Sequence, residues 1–219
     1  MTTDSAHLYW NTEWAAADAD SKWAKPEPDV LAHAATLAPG AAVLDLGAGI
    51  GRHALALARL GFAVSALDAA PQSLAVIGAA AASEALHIDL AQGMMTALPY
   101  ADASFDHVLA WNVIYHGDET VVARSIAEIA RVLKPGGSFM GTMLSARRLP
   151  VEQSRAVGNQ VSRNTWVFDG GGDKMHPHYF CSAADLLALF AGFELWSLDD
   201  RQHETPGSWH WHVLAERLA

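Results

Sequence analysis

Three glycines at alternate positions follow an apolar segment and an acid in VLDLGAGIG, residues 43–51. Glycine lacks a Cβ atom, so such a turn lets the backbone approach a ligand closely. The amides that open the following helix favour a negatively charged group. A dinucleotide-binding turn would have its third glycine where this chain has Arg52. The turn therefore predicts a nucleotide site, and its spacing disfavours an NAD-dependent dehydrogenase.

An acid, Asp68, ends the next apolar segment about 20 residues beyond the glycine turn. An acid at this place typically binds the hydroxyls of a ribose. Each charge-assisted hydrogen bond of that kind is worth about 1.5–3 kcal/mol. Asp68 could instead cap the helix that begins near Pro71, since Asp is a favourable N-cap residue. With the glycine turn upstream, we favour the ribose interpretation.

Tyr115 and His116 follow the predicted fourth strand in WNVIYHG, residues 111–117. Histidine titrates near neutral pH and suits general-base catalysis. His116 could equally serve only to close the loop after the strand. We keep Tyr115 and His116 as candidate catalytic residues.

Histidine also recurs at i, i+2 in HPHYF (176–180) and WHWH (209–212), within a total of 11 histidines. In a strand, that spacing places both histidines of a pair on one face. Two such pairs could bind a transition metal. In the alternative, the tryptophans of 209–212 pack in the core while the histidines face solvent or a lid. Because nothing in the sequence fixes how the pairs meet, we predict no metal site.

Short apolar segments alternate with amphipathic ones between residues 41 and 145. Such alternation predicts a parallel sheet covered by helices on both faces. The last two predicted strands are joined by a turn-rich link and predict an antiparallel hairpin. The predicted strands are 41–47, 62–68, 87–93, 104–112, 138–145, 192–200 and 208–218, and the predicted helices are 52–61, 71–86, 118–137 and 182–191.

The chain has 219 residues, enough for one domain with a full core. We predict a single domain over 1–219, with an N-terminal helical cap at 1–38 and a lid insertion at 146–181 that contacts the substrate. The formal net charge of −10 argues against binding to nucleic acid or to an anionic membrane. A single cysteine, Cys181, and no signal peptide predict a cytoplasmic protein.

Residues 43–74 and 93–143 resemble, in order, the successive motifs of class I S-adenosylmethionine-dependent methyltransferases. The resemblance implies a doubly wound α/β fold: a Rossmann-like, seven-stranded, mostly parallel sheet whose last strand is antiparallel. It also implies that S-adenosylmethionine is the cofactor. The residues it places at the cofactor are Asp45, Gly47, Ala48, Gly49, Asp68, Ala69, Met94, Met95 and Trp111.

Within that resemblance, Gly47, Ala48 and Gly49 would pass beneath the methionine part of the cofactor, and Trp111 would lie near its sulfonium. The family often has an acid near the adenine, where this chain has Met94 and Met95. Methionine can hold a flat purine by dispersion.

The acceptor would be a small molecule, bound by Tyr9, Trp10 and Trp23 together with His178 of the lid insertion. The expected reaction is in-line methyl transfer that yields S-adenosylhomocysteine, by a monomer or a homodimer. The alternatives are a noncatalytic binder of the donor, a nucleic-acid methyltransferase and an NAD-dependent dehydrogenase. The acidic net charge disfavours the second of these, and the glycine spacing disfavours the third.

Overall fold

The computed structural model describes residues 3–17, 21 and 23–219. Parts of the predicted cap at 1, 2, 18–20 and 22 lie outside the described residues. The helices are α1 (Ala6–Ala16), α2 (Pro28–Ala34), α3 (Arg52–Arg59), α4 (Pro71–Ser83), α5 (Glu119–Val132), α6 (Leu149–Arg155) and α7 (Ala183–Leu189). The strands are β1 (Ala42–Leu46), β2 (Ala63–Asp68), β3 (Ile88–Gln92), β4 (Phe105–Ala110), β5 (Leu133–Ser145), β6 (Gly158–Ser162), β7 (Thr165–Phe168), β8 (His178–Cys181), β9 (Phe193–Gln202) and β10 (Trp209–Arg217).

The main sheet has the order β3-β2-β1-β4-β5-β10-β9. Strands β1 to β5 pair in parallel, whereas β10 is antiparallel to β5 and to β9. The direction in which successive strands are added reverses between β1 and β4. The segments that follow these two strands therefore lead to opposite sides, and a crevice opens at the carboxyl ends of β1 and β4. The predicted doubly wound sheet with a last antiparallel strand is confirmed.

The central strands are buried on both faces because helices cover the sheet on each side. Strand β1 has the sequence AVLDL, in which four of five residues are buried. Helix α5 begins at the N-cap Asp118, whose side chain accepts a hydrogen bond from Val121 N, and it buries an apolar stripe against the sheet. It ends at Val132, ahead of the predicted end at 137, since Pro135 cannot donate a helical hydrogen bond.

The lid insertion, residues 146–181, contains regular structure that the sequence did not indicate. Strands β6, β7 and β8 form an antiparallel ladder. Strand β8 joins the main sheet by pairing with the end of β5, at Leu144–Phe180 and Ser145–Cys181. The insertion is therefore anchored at the carboxyl edge of the sheet, beside the crevice.

The N-terminal segment closes the crevice from the other side. Helix α1 lies against α4, and its Trp14 is buried. Helix α2 buries Val30 and Ala34 in the apolar cluster beneath β1 and α3. In the part of the chain that the structure describes, none of the helices has the length and apolar character needed to cross a membrane.

Candidate functional site

The glycine turn after β1 has a backbone that other residues would strain. Gly47 and Gly49 have φ of +67° and +56°, in the left-handed region that favours glycine. A Cβ atom on Gly47 would lie 2.5 Å from Cγ2 of Val113. Both Gly47 N and Ala48 N donate to Leu67 O, at 2.7 and 3.1 Å, so the turn is fastened to the end of β2.

Asp68 is held by this turn. Its Oδ2 accepts a hydrogen bond from Gly49 N at 2.8 Å, and its Oδ1 accepts one from Ala70 N at 2.8 Å. Burial raises the pKa of the Asp68 carboxyl, although these backbone donors oppose the shift. The Ser73 side chain and the Ala69 backbone also lower this pKa. Asp68 is therefore a firmly positioned carboxyl group on the lining of the cavity.

Asp45 lies beneath the turn and does not line the crevice. Its Oδ2 accepts a hydrogen bond from Ala54 N, at 2.9 Å, in the first turn of α3. Burial raises the pKa of the Asp45 carboxyl to about 7. The structure thus places Asp45 as a support for the helix start, where the resemblance implied a contact with the cofactor.

The crevice is a cavity of about 580 Å³. One side, the glycine wall, consists of Gly47, Ala48, Gly49, Asp68 and Trp111. The opposite side, the aromatic wall, consists of Tyr9, Trp10, Trp14 and Trp23. The other predicted residues on its lining are Ala69, Met94, Met95, Tyr115 and His116.

The aromatic wall is a packed cluster from the N-terminal segment. Trp10 stacks on Trp14 with centroids 4.8 Å apart, and Trp23 meets Trp10 edge to face at 5.5 Å. The Trp14 ring covers the glycine turn, since its Cζ2 atom lies 3.0 Å from the place of a Cβ on Gly49. The aromatic wall therefore closes directly over the glycine wall.

Residues 43–137 match the family model described as a methyltransferase domain. This span covers the glycine turn, Asp68 and the first four strands. These residues therefore form a methyltransferase domain. The resemblance to methyltransferases that the sequence indicated is confirmed.

A ubiquinone biosynthesis O-methyltransferase of Methylocella silvestris is 36% identical to the chain over 161 residues, which cover 74% of this chain and 60% of that protein. An uncharacterized protein of Mycobacterium bovis is 34% identical over 134 residues, which cover 56% of this chain and 48% of that protein. The chain thus spans about half to three fifths of the length of these curated relatives.

Solved structures share the methyltransferase fold at low sequence identity. A methyltransferase of Methanosarcina mazei aligns with a TM-score of 0.74 at 20% identity, covering 89% of this chain and 99% of that chain. The 1,6-didemethyltoxoflavin N1-methyltransferase of Burkholderia thailandensis, which holds S-adenosylhomocysteine, aligns with a TM-score of 0.71 at 18% identity, covering 98% and 89%. These likenesses confirm the fold.

The glycine wall of the methyltransferase domain fits S-adenosylmethionine. Among the described residues, the buried Nε1–H of Trp111 has no hydrogen-bond acceptor, although it lies on this wall. A buried donor without an acceptor is costly unless a ligand or water satisfies it. The glycine turn, the carboxyl group of Asp68 and this donor suit a ligand with a flexible acidic part and a ribose.

The candidate catalytic residues lie at the end of β4 beside the aromatic wall. Nδ1 of His116 lies 2.7 Å from Val113 O; a carbonyl only accepts, so this nitrogen carries the proton. Nε2 of the neutral ring then has a lone pair, and among the described residues it has no hydrogen-bond partner. Burial raises the pKa of Tyr115, so its phenol stays protonated and is a hydrogen-bond donor rather than a base.

His178 does not line the cavity, contrary to the prediction that it binds substrate directly. It lies behind Asp173, with Nε2 at 3.2 Å from Asp173 Oδ2, and burial lowers the pKa of its ring to about 4. Asp173 lines the cavity and was not singled out in the sequence. Burial favours its protonated form, but the adjacent His116 and His178 outweigh this and hold the pKa of Asp173 well below its ordinary value. The only sequence signal that could have indicated Asp173 is its position three residues before the HPHYF motif.

The histidines of WHWH face the cavity, apart from those of HPHYF. His210 and His212 line the cavity together with His203, whose ring stacks on His210 at 3.9 Å. His210 Nε2 accepts a hydrogen bond from Arg148 Nη1 at 3.1 Å. On the other face of β10, Trp211 Nε1 donates to Cys181 O at 3.0 Å. The two predicted i, i+2 pairs therefore do not form one cluster.

Proposed function

We propose that this chain transfers the methyl group of S-adenosylmethionine to a small-molecule acceptor. The observation that carries the proposal is that the glycine wall and the aromatic wall enclose one cavity of about 580 Å³. A volume in this range suits small ligands. The likeness to small-molecule methyltransferases and the match to a methyltransferase domain support it.

When bound, S-adenosylmethionine supplies an activated methyl group on a sulfonium. Gly47 and Gly49 would pass beneath its methionine part, and Trp111 would donate to the methionine carboxylate. Asp68 would accept from the ribose hydroxyls, and the half-buried Met94 and the buried Met95 would flank the adenine. Ala48 and Ala69 would contribute wall surface. Asp45 would act through α3, by holding the helix start against the turn.

Methyl transfer needs mainly proximity, alignment and exclusion of water. Tyr9, Trp10 and Trp23 would bind the acceptor's apolar face and exclude water. His116 would take a proton at Nε2 from an acceptor that arrives protonated. Tyr115 would donate a hydrogen bond that orients the acceptor, since its buried phenol stays protonated. His178 would contribute through Asp173.

We further propose a cytoplasmic protein that acts as a monomer or homodimer and does not bind nucleic acid. The net charge of −10 supports the last point, because phosphate backbones are bound by basic surfaces. The chain spans only part of the length of its curated relatives. The names of those relatives therefore do not identify its acceptor.

The test is calorimetric titration with S-adenosylmethionine and S-adenosylhomocysteine, followed by a panel of small hydroxyl, amine and thiol acceptors. Formation of S-adenosylhomocysteine with an acceptor is the expected result. Binding of the donor without turnover on any acceptor would favour a noncatalytic binder. Binding of NAD in its place would overturn the proposal and favour a dehydrogenase.

A further inference from the structure

Two rings and one carboxylate converge at the edge of the cavity in a way that methyl transfer by itself does not require. The His–Asp–His cluster consists of His116 after β4, Asp173 in the lid insertion and His178 at the start of β8. One nitrogen from each ring and one carboxylate oxygen all lie within 4.8 Å of one another. Asp173 Oδ2 is 3.2 Å from His178 Nε2 and 3.9 Å from His116 Nε2.

The backbone decides which nitrogen of each ring faces Asp173 without a proton. His116 Nδ1 lies 2.7 Å from Val113 O, and His178 Nδ1 lies 2.8 Å from His176 O. Carbonyl oxygens only accept, so both Nδ1 atoms carry the protons. In the neutral rings, the two Nε2 atoms therefore present lone pairs toward an anionic oxygen. Three electron-pair donors facing one another require a cation between them.

A proton satisfies this arrangement only in part. A protonated His178 would donate to Asp173 Oδ2 and form a buried ion pair. His116 Nε2 would still lie 3.9 Å from that oxygen, beyond hydrogen-bond distance. His116 is 8% exposed, and its Nε2 has no partner among the residues that the structure describes. A metal ion would draw all three atoms to one centre, because its bonds to imidazole nitrogen and carboxylate oxygen are about 2.0–2.2 Å long.

The surroundings resemble those of a preorganised metal site. In such sites, the ligating histidines donate their other N–H to a carbonyl or carboxylate, which fixes the ring and its tautomer. Backbone bonds hold the two ring-bearing segments together: Gly117 N donates to Pro177 O, and Tyr179 N donates to Tyr115 O, both at 2.9 Å. Lys174 Nζ is 3.6 Å from the other carboxylate oxygen, Asp173 Oδ1, and thereby leaves Oδ2 to the rings.

We propose that His116, Asp173 and His178 bind a divalent transition-metal ion of the zinc type. Two imidazoles and one carboxylate are the ligands such ions prefer, and three protein ligands leave a coordination position open. His116 and Asp173 both line the cavity, so the open position faces the space for the acceptor. The sequence predicted no metal site. The site proposed here combines residues that only the tertiary structure brings together.

The metal site also narrows the acceptor class, and this part rests on the proposed methyl transfer. A bound zinc-type ion lowers the pKa of a coordinated hydroxyl or thiol. The acceptor would then present an oxygen or sulfur atom to the ion, next to the aromatic wall. His116 would be a ligand in the metal-loaded protein and would no longer act as a general base. The coordinated hydroxyl or thiol would lose its proton to solvent before it attacks the methyl group.

The experiment measures metal binding directly. The whole chain is stripped with a chelator and titrated with Zn²⁺ by calorimetry and with Co²⁺ by visible absorption. One equivalent is expected to bind, with a Co²⁺ spectrum of low-symmetry nitrogen and oxygen ligation. Asp173→Asn and His178→Gln should weaken binding by more than the roughly 10- to 100-fold typical of losing a second-shell partner. His203→Gln is the matched control, because His203 lines the same cavity outside the cluster.

Lack of stoichiometric binding to the wild-type chain overturns the site, whatever the variants do. Equal loss in His203→Gln and Asp173→Asn overturns its assignment to the cluster. Circular dichroism of each variant identifies one that has not folded, and the wild-type titration still decides. Metal binding without donor binding would uphold the site and reject the proposed function. Turnover that is insensitive to chelator, without bound metal, would do the reverse.

Discussion

The two walls of the cavity are built in different ways. The glycine wall comes from a short stretch after β1, the end of β2 and the end of β4, and it presents mostly backbone and one fixed carboxylate. The aromatic wall comes from the N-terminal segment, and the His–Asp–His cluster comes from the segment after β4 and from the lid insertion. Both present side chains. A backbone site preserves one cofactor shape, whereas a side-chain site can be changed without altering the sheet. We therefore expect the glycine wall to hold the cofactor and the aromatic wall to select the acceptor.

The largest expected effect is at the backbone of the glycine wall. Gly47→Ala should lower the free energy of unfolding by about 2–5 kcal/mol, from a left-handed backbone and overpacking against Val113. S-adenosylhomocysteine binding should be lost with it. Urea unfolding and calorimetry measure both. Gly61→Ala is the control, since it has φ of +86° but no described atom within 4 Å, and should cost only about 1–2 kcal/mol. Equal costs would contradict the close approach at Gly47.

The next effect tests the carboxylate of the glycine wall. Asp68→Ala should weaken S-adenosylhomocysteine binding about 10- to 100-fold, because it removes charge-assisted acceptors. Calorimetry measures this. Asp89→Ala, on the edge strand β3 with an exposed carboxylate, should leave binding unchanged. Unaltered affinity in Asp68→Ala would show that ribose is held elsewhere.

A smaller effect should separate the two walls. Trp10→Ala is expected to raise the KM for the acceptor about 3- to 10-fold, since aromatic contacts are worth about 0.5–1.5 kcal/mol. Its affinity for S-adenosylhomocysteine should change much less. Steady-state kinetics and calorimetry compare the two. Trp196→Ala is the matched control, because Trp196 is 51% exposed on β9. A larger loss for the cofactor than for the acceptor would remove the distinction between the walls.

The smallest effect concerns acid sensitivity in the sheet itself. Burial lowers the pKa of His107 to about 3, so the folded ring stays neutral where the unfolded ring, with a pKa near 6.5, binds a proton. Its contribution to stability is complete above pH 6.5 and is lost as the pH falls below it. Asp45 acts in the opposite sense, since its raised pKa favours the fold on acidification between about 4 and 7.

Among the described residues, histidines whose pKa is lowered by burial outnumber buried acids whose pKa is raised. The free energy of unfolding should therefore decrease as the pH is lowered from 7.5 to 5.5. His107→Gln should reduce that fall by about 1 kcal/mol. Urea unfolding at the two pH values measures it. His87→Gln, at an exposed histidine, should leave the fall unchanged. A pH dependence that is identical in both variants would contradict the burial argument.

Local patterns predicted the sheet well. Each strand from β1 to β5 and the hairpin of β9 and β10 has a predicted counterpart, because short apolar segments between turn residues have few other folded states. The lid insertion was different: β6 to β8 carry polar residues, and their pairing depends on the end of β5. The division into one domain, a cap and a lid insertion remains a prediction.

The amino-acid sequence by itself determined the methyltransferase domain and the glycine wall. Gly47, Gly49 and Asp68 lie within about 20 residues of one another, and local geometry at the switch point of a parallel sheet brings them together. Only the tertiary structure decided that His178 lies behind Asp173, that His116 joins them, and that Asp45 supports a helix. These residues meet through strand pairing between segments that are distant in sequence. Their spacing along the chain therefore does not predict that they are neighbours.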